Sequence, residues 1–182
     1  MSRAIGMVEY RTVSSGIVAA DSMVKSSDVE VLEAKTVCPG KYIVIITGDL
    51  SAVRAAVDTA KQGHERKLVN TFVLGNPHPS IIPAMHRKAK IEKVSALGIL
   101  ETFDATSIIV AADEAAKTAV VDLIELRVAR GMAGKSYMML TGEIAAVQAA
   151  IERARESVSE DGMYLDSAVI ANPDDQIRDK IL

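Results

Sequence analysis

The sequence predicts an α+β fold built twice in tandem, and three observations carry that reading. The chain is self-similar: Ala4-Ile5-Gly6-Met7-Val8-Glu9 returns 92 positions later as Ala96-Leu97-Gly98-Ile99-Leu100-Glu101, and Ala19-Ala20-Asp21 returns as Ala111-Ala112-Asp113. Lys25 reappears as Lys117, and Glu33 and Lys35 as Glu125 and Arg127. The offset then grows to 94, with Gly40-Lys41 matching Gly134-Lys135 and Gly48-Asp49-Leu50-Ser51-Ala52-Val53 matching Gly142-Glu143-Ile144-Ala145-Ala146-Val147, and to 96 at Asn76-Pro77 and Asn172-Pro173. Within each copy, short apolar runs alternate with stretches of helical period, in the same order and between the same turn residues. The apolar content is aliphatic: 49% of residues are hydrophobic but only 3% aromatic, with no Trp. Chance similarity between Ala- and Val-rich helices would not preserve strand, helix and turn signals in one order, so the chain reads as a duplication of a unit of about 90 residues. The boundaries this gives are 1–91 and 92–182.

Each element follows from local pattern. Ile5 to Tyr10 reads as a short strand bounded by turn formers. Ser14 is the expected N-cap of a helix to about Ser26, in which Ile17, Ala20, Met23 and Val24 recur at helical spacing. Strands are expected at Val29 to Thr36 and Lys41 to Thr47, the second nearly all apolar and therefore central in its sheet. Asp49 should cap a helix with Leu50, Val53, Val57 and Ala60 on one stripe, mirrored by Ile144, Val147, Ile151 and Ala154. Leu68 to Leu74 is the fourth strand, and Pro77 or Pro79 opens a short helix toward Arg87. The order strand-helix-strand-strand-helix-strand is that of ferredoxin-like folds, here with an extra helix. The run from His86 to Lys93 is charged and lacks glycine, which predicts a solvated connector.

Composition removes several classes of function. The net charge of −3 and scattered basic residues give no phosphate-tracking surface, so nucleic acid is not an expected partner. No run approaches the roughly 18 apolar residues of a membrane span, and no apolar leader opens the sequence. One cysteine allows no intrachain disulfide, which is consistent with a reducing cytoplasm. The mean hydropathy of +0.19 is high, and subunit contacts are expected to cover part of the apolar surface. No Ser-His-Asp set, visible carboxylate pair or phosphate-cradling glycine loop is present, so an enzyme is not predicted. His64, His78 and His86 fall at a helix end, a post-proline turn and the charged connector, where solvated side chains are expected.

The single cysteine lies in Thr36-Val37-Cys38-Pro39-Gly40-Lys41, between two predicted strands. A lone cysteine is by default a small apolar filler. Pro39 and Gly40 instead place Cys38 on a short stiff turn, where a thiol is presented rather than buried. The corresponding stretch of the second copy, Arg130-Gly131-Met132-Ala133-Gly134-Lys135, has no cysteine and is two residues longer.

Ala4-Ile5-Gly6-Met7-Val8-Glu9, Ala19-Ala20-Asp21-Ser22-Met23-Val24-Lys25 and Gly48-Asp49-Leu50-Ser51-Ala52-Val53 together resemble a bacterial microcompartment shell domain, and their repeats resemble a second one. Two such domains, each opening on the Ala-Ile-Gly type of strand and so not circularly permuted, are similar to the tandem-domain shell proteins. The Cys38 turn narrows the resemblance to the propanediol-utilisation shell protein T type. That resemblance implies a flat homotrimer mimicking a hexamer, tiled with other shell proteins into a microcompartment shell in the bacterial cytoplasm. It implies a central pore lined by Val37, Pro39 and Gly40 with Arg130, Gly131, Met132 and Ala133, and a 4Fe-4S iron-sulfur cluster, one per trimer, held by three Cys38 ligands. It places Lys25 and Lys117 at the shell edges where neighbouring oligomers meet. The later edge motif departs from the pattern of many shell domains, carrying Asn76-Pro77 and Asn172-Pro173 where an arginine precedes the proline, so lateral contacts should differ in detail.

Physical chemistry agrees with the cluster expectation: a cubane takes about four thiolates, one chain supplies one, and three-fold symmetry supplies three around an axis. The expected function is a structural shell subunit moving electrons or cluster components across the shell, with an encapsulated or cytosolic redox protein as a possible partner. Two alternatives stand beside it: a cluster-free shell trimer acting as a small-molecule pore, and a ferredoxin-like oligomer that senses a metabolite.

Overall fold

A computed structural model describes residues 4–62 and 65–181. The chain divides into two compact units, one running to Pro77 and the other beginning at His78. The first contains β1 (Ala4–Tyr10), α1 (Val13–Ser26), β2 (Val29–Val37), β3 (Lys41–Gly48), α2 (Leu50–Lys61), a single 3-10 turn at Glu65–Lys67 and β4 (Leu68–Leu74). The second contains α3 (Ile81–Met85), β5 (Ala96–Thr102), α4 (Ala105–Thr118), β6 (Val121–Arg127), β7 (Ser136–Gly142), α5 (Ile144–Ser159), β8 (Tyr164–Ile170) and α6 (Asp175–Ile181).

Each unit has one antiparallel four-stranded sheet, ordered β2-β3-β1-β4 in the first and β6-β7-β5-β8 in the second. The apolar β3 is central, as its composition predicts, and β7 holds the equivalent place in the second sheet. In the first unit the helices cover one sheet face, packing Met23, Val53, Ala56 and Val57 onto Val8, Val44 and Ile46, while Tyr10 donates its hydroxyl hydrogen to the carbonyl of Ala60. The glycine in the repeated opening motif has a packing reason. A Cβ on Gly6 would lie 2.6 Å from Val53 Cγ1, and one on Gly98 would lie 2.8 Å from both Val147 and Ile151. Only glycine lets α2 and α5 approach their sheets this closely.

Three local expectations need correction. Helix α1 starts at Val13 after Thr12, not after a Ser14 cap, and its buried stripe is Ser15, Gly16, Ala19 and Met23. Ile17 and Val24, which share the helical period, point to solvent. Periodicity finds a face; it does not say which of two apolar faces meets the sheet. Similarly Val53, Val57 and Ala60 are buried on α2 while Leu50 is exposed, and Ile144 is exposed on α5. The connector is not merely solvated: Ile91 packs with Val94, Leu97 and Ile124 on the second sheet. Arg87, at φ 54°, pairs with Glu125. Residues 78–91 therefore fold with the second unit, whereas the sequence boundary falls at 91/92.

Candidate metal and pore site

The β2–β3 connection is a three-residue turn. Val37 pairs with Lys41 across the ladder, and the Gly40 N–H donates to the Val37 carbonyl at 2.9 Å. Cys38 and Pro39 are the central residues, joined by a cis peptide bond, and Gly40 has φ 90°, a conformation glycine takes without steric cost. Cys38 is half-buried with a free thiol; Pro39 and Gly40 are exposed, and Val37 is buried. A Cβ on Gly40 would meet nothing within 4 Å, so there is open space on the tip of the turn. Among the described residues, no three His, Cys, Asp or Glu side chains gather where a metal ion could use them together. One soft thiolate donor at an open turn fits an iron-sulfur group only if further sulfurs come from other copies.

The second unit's counterpart spans residues 128–135 between β6 and β7. Its backbone winds through four left-handed residues, Ala129, Gly131, Ala133 and Gly134. It is tied by the Ala129 N–H to Ser136 Oγ at 2.9 Å and the Lys135 N–H to the Met132 carbonyl at 3.0 Å. Arg130, Gly131 and Ala133 are exposed and Met132 is half-buried. Lys25 and Lys117 lie in the last turns of α1 and α4, paired with Asp21 at 2.6 Å and Asp113 at 2.5 Å. His78 and His86 are half-buried, with the His78 ring against Ser80 Oγ at 2.7 Å; His64 lies outside the described residues.

Two charged groups were not singled out by the sequence. Glu9, fully buried in β1, accepts a hydrogen bond from Lys41 Nζ at 2.9 Å, which anchors the first residue after the Cys38 turn. Glu9 Oε2 has no hydrogen-bond partner among the described residues. The available signal was a lone carboxylate in an otherwise apolar strand. On β6, Glu125 forms ion pairs with Arg127 at 2.9 Å and Arg87 at 3.0 Å and accepts a hydrogen bond from the Tyr137 hydroxyl at 2.7 Å. Burial alone would raise the Glu125 pKa, but the Tyr137 hydrogen bond and the two guanidinium groups outweigh it and hold the carboxyl below its usual range. Burial, followed by the bond to Glu125, pushes Tyr137 up to about 12. Arg127 is a neighbour on the same strand, but Arg87 and Tyr137 lie 38 and 12 positions from Glu125, which is why no local pattern announced the cluster.

No described helix is long and apolar enough to cross a membrane. The BMC domain family model matches residues 4–77 and again 96–173. Over 173 residues the chain is 38% identical to the bacterial microcompartment shell protein PduT of Citrobacter freundii, covering 95% of this chain and 94% of that one. The carboxysome shell protein CcmK2 of Thermosynechococcus vestitus is 33% identical over 85 residues, 44% of this chain and 83% of its own. The crystal structure of a microcompartment protein from Desulfitobacterium hafniense DCB superposes with a TM-score of 0.92 at 43% identity, covering 98% of this chain and 99% of that one. A fused permuted hexameric shell protein, MSM0275, shares the fold at a TM-score of 0.64 and 20% identity, over 87% of this chain and 82% of its own. The role of this family is structural rather than catalytic, and its place is the microcompartment shell in the bacterial cytoplasm. Two BMC domains in one polypeptide, with a PduT relative matched almost end to end, make this chain a tandem-domain bacterial microcompartment shell protein of the PduT type.

Proposed function

We propose that this shell subunit works as a homotrimer whose three Cys38 thiolates hold one 4Fe-4S cluster on the three-fold axis, giving the shell a route for electrons or cluster components. The observation that supports the reading most is the single free thiol on a three-residue turn in only one of two duplicated units. Such a cluster supplies one-electron chemistry when bound. The chain's own residues contribute a thiolate, a short turn that limits the thiol's wandering, and the Glu9–Lys41 pair beneath it. Pore lining by Val37, Pro39, Gly40 and the 130–133 segment, edge contacts through Lys25 and Lys117, and a redox partner belong to the same proposal. Protein purified or reconstituted without oxygen should be brown and contain about four irons per trimer. Cys38→Ser should be colourless and of unchanged mass. Colour retained by the serine variant would defeat the ligand assignment, and a trimer with negligible iron would favour the small-molecule pore.

A further inference from the structure

The Glu125 cluster of the second unit holds more positive than negative charge. Its carboxylate meets two guanidinium groups, Arg127 at 2.9 Å and Arg87 at 3.0 Å. Glu125 stays ionised and Tyr137 protonated at neutral pH, so these four side chains sum to one surplus positive charge. Arg127 is committed within the cluster: it turns Nε and Nη2 to Glu125 Oε1, and its guanidinium carbon lies 5.3 Å from the centre of the Tyr137 ring. Arg87 is less enclosed, with a side chain 66% exposed, and it faces Glu125 with only one edge of its planar fork, Nε and Nη2. The end of that fork, Nη1 with the outer hydrogen of Nη2, has no acceptor among the described residues and can receive a second pair of oxygens.

A cavity of about 310 Å³ borders this arginine, lined by Arg87, Glu125, Ala89, Ile91, Ile124 and Ile181, all within the second unit. Apart from the two charged residues its walls are aliphatic, and Ile91, Ile124 and Ile181 pack in one apolar cluster. No side-chain hydroxyl or amide lines it, so it offers nothing to a polar tail. Glu125 already receives hydrogen bonds from Arg127, Arg87 and Tyr137, so the donor capacity left over is that of Arg87 and calls for an acceptor. The first unit lacks this arrangement. Glu33 and Lys35 keep the places of Glu125 and Arg127 and pair with each other, but the buried Ile43 stands where the second unit has Tyr137.

We propose that this cavity binds a small aliphatic carboxylate, its two oxygens on the end of the Arg87 guanidinium and its short saturated tail among Ile91, Ile124 and Ile181. One surplus charge matches a monoanion better than a dianionic phosphate, and a planar carboxylate meets the fork with two parallel hydrogen bonds. The tail displaces water from aliphatic walls, which a charged group alone would leave wet. Glu125 is a positioning residue here: by holding Nε and Nη2 it aims the other end of Arg87 at the ligand. Every part of the site comes from one unit, so it owes nothing to Cys38 or to the cluster proposed above.

The experiment titrates butyrate into the full chain by isothermal calorimetry and by saturation-transfer NMR, with 1-butanol and inorganic phosphate as the matched neutral and anionic probes. Butyrate should bind saturably, one molecule to a chain, and both other probes should bind at least about tenfold more weakly, the loss expected when a charged hydrogen-bonded group is removed or mismatched. Arg87→Gln should weaken butyrate by a similar factor. Lys90→Gln removes an exposed cation that does not line the cavity and should bind as the wild type does. Ile181→Asp sets a repelling charge at the last described residue while keeping the Glu125 cluster intact, so it should lose binding even if Arg87→Gln fails the circular dichroism check of its fold. Cys38→Ser should bind unchanged. Absence of saturable butyrate binding, full affinity in folded Arg87→Gln or in Ile181→Asp, or equal loss in Lys90→Gln overturns the site. Butanol or phosphate binding as tightly as butyrate overturns the carboxylate assignment.

Discussion

Glu9 and Lys41 illustrate how one residue pair can serve a turn it does not belong to. Glu9 sits in a strand that is buried throughout, and its carboxylate is tolerable there because the Lys41 ammonium lies 2.9 Å away. Removing one member of a buried pair leaves the other charge uncompensated, which costs about 3–5 kcal/mol, whereas replacing both with apolar groups can be nearly neutral. Lys41→Met should therefore lower stability by roughly that amount, and Glu9→Leu with Lys41→Met should recover most of it. Chemical denaturation of the three proteins checks this. A Lys41→Met variant as stable as wild type would show that the pair does not hold the base of the turn.

At the scale of elements, the connector and strand β6 are fastened through Glu125. Arg87 reaches it from the connector, Arg127 from the same strand and Tyr137 from β7. The Glu125 pKa is depressed in the fold, so its contribution to stability is present above the ordinary glutamate value of 4.5 and is lost as pH falls through the folded value. Tyr137 behaves in the opposite sense. Its pKa rises from 10.0 to about 12, so its contribution is complete below pH 10 and disappears as pH climbs toward 12. Denaturation midpoints across that alkaline window should fall less steeply for Tyr137→Phe than for wild type; the slope left over includes Tyr10, which burial also raises. Equal slopes would remove Tyr137 from the account. This cluster also marks what sequence could and could not disclose. The duplication, the order of strands and helices along the chain, the central β3 and the short Cys38 turn were legible, because each depends on neighbours or on a period. The Ile17 face of α1, the docking of residues 86–94 and the Glu125 cluster depend on which distant surface arrives, and periodicity carries no such information.

For the whole molecule, duplication has produced two units of one topology that no longer share a chemistry. The family and the fold are settled by the near end-to-end relatives, and of the two equivalent loops only the first carries a thiol. In the first unit, three residues link the strands, and the thiol sits where little backbone freedom remains. In the second, residues 128–135 wind through four left-handed positions before the next strand. In the second loop the Ala129 N–H is tied to Ser136 Oγ and the Lys135 N–H to the Met132 carbonyl, so residue 132 is already held in the loop's own geometry. Three copies of the long loop would have to give up that geometry to meet around one cluster. A cysteine transplanted to the second loop should therefore be a poor substitute for Cys38. The double variant Cys38→Ser with Met132→Cys should keep the mass of the wild type and, after anaerobic reconstitution, stay colourless with little iron. Iron analysis with visible spectroscopy tests it. A brown double variant would mean that any thiol near the axis suffices, and that the short turn of the first unit is not what fits it for the cluster.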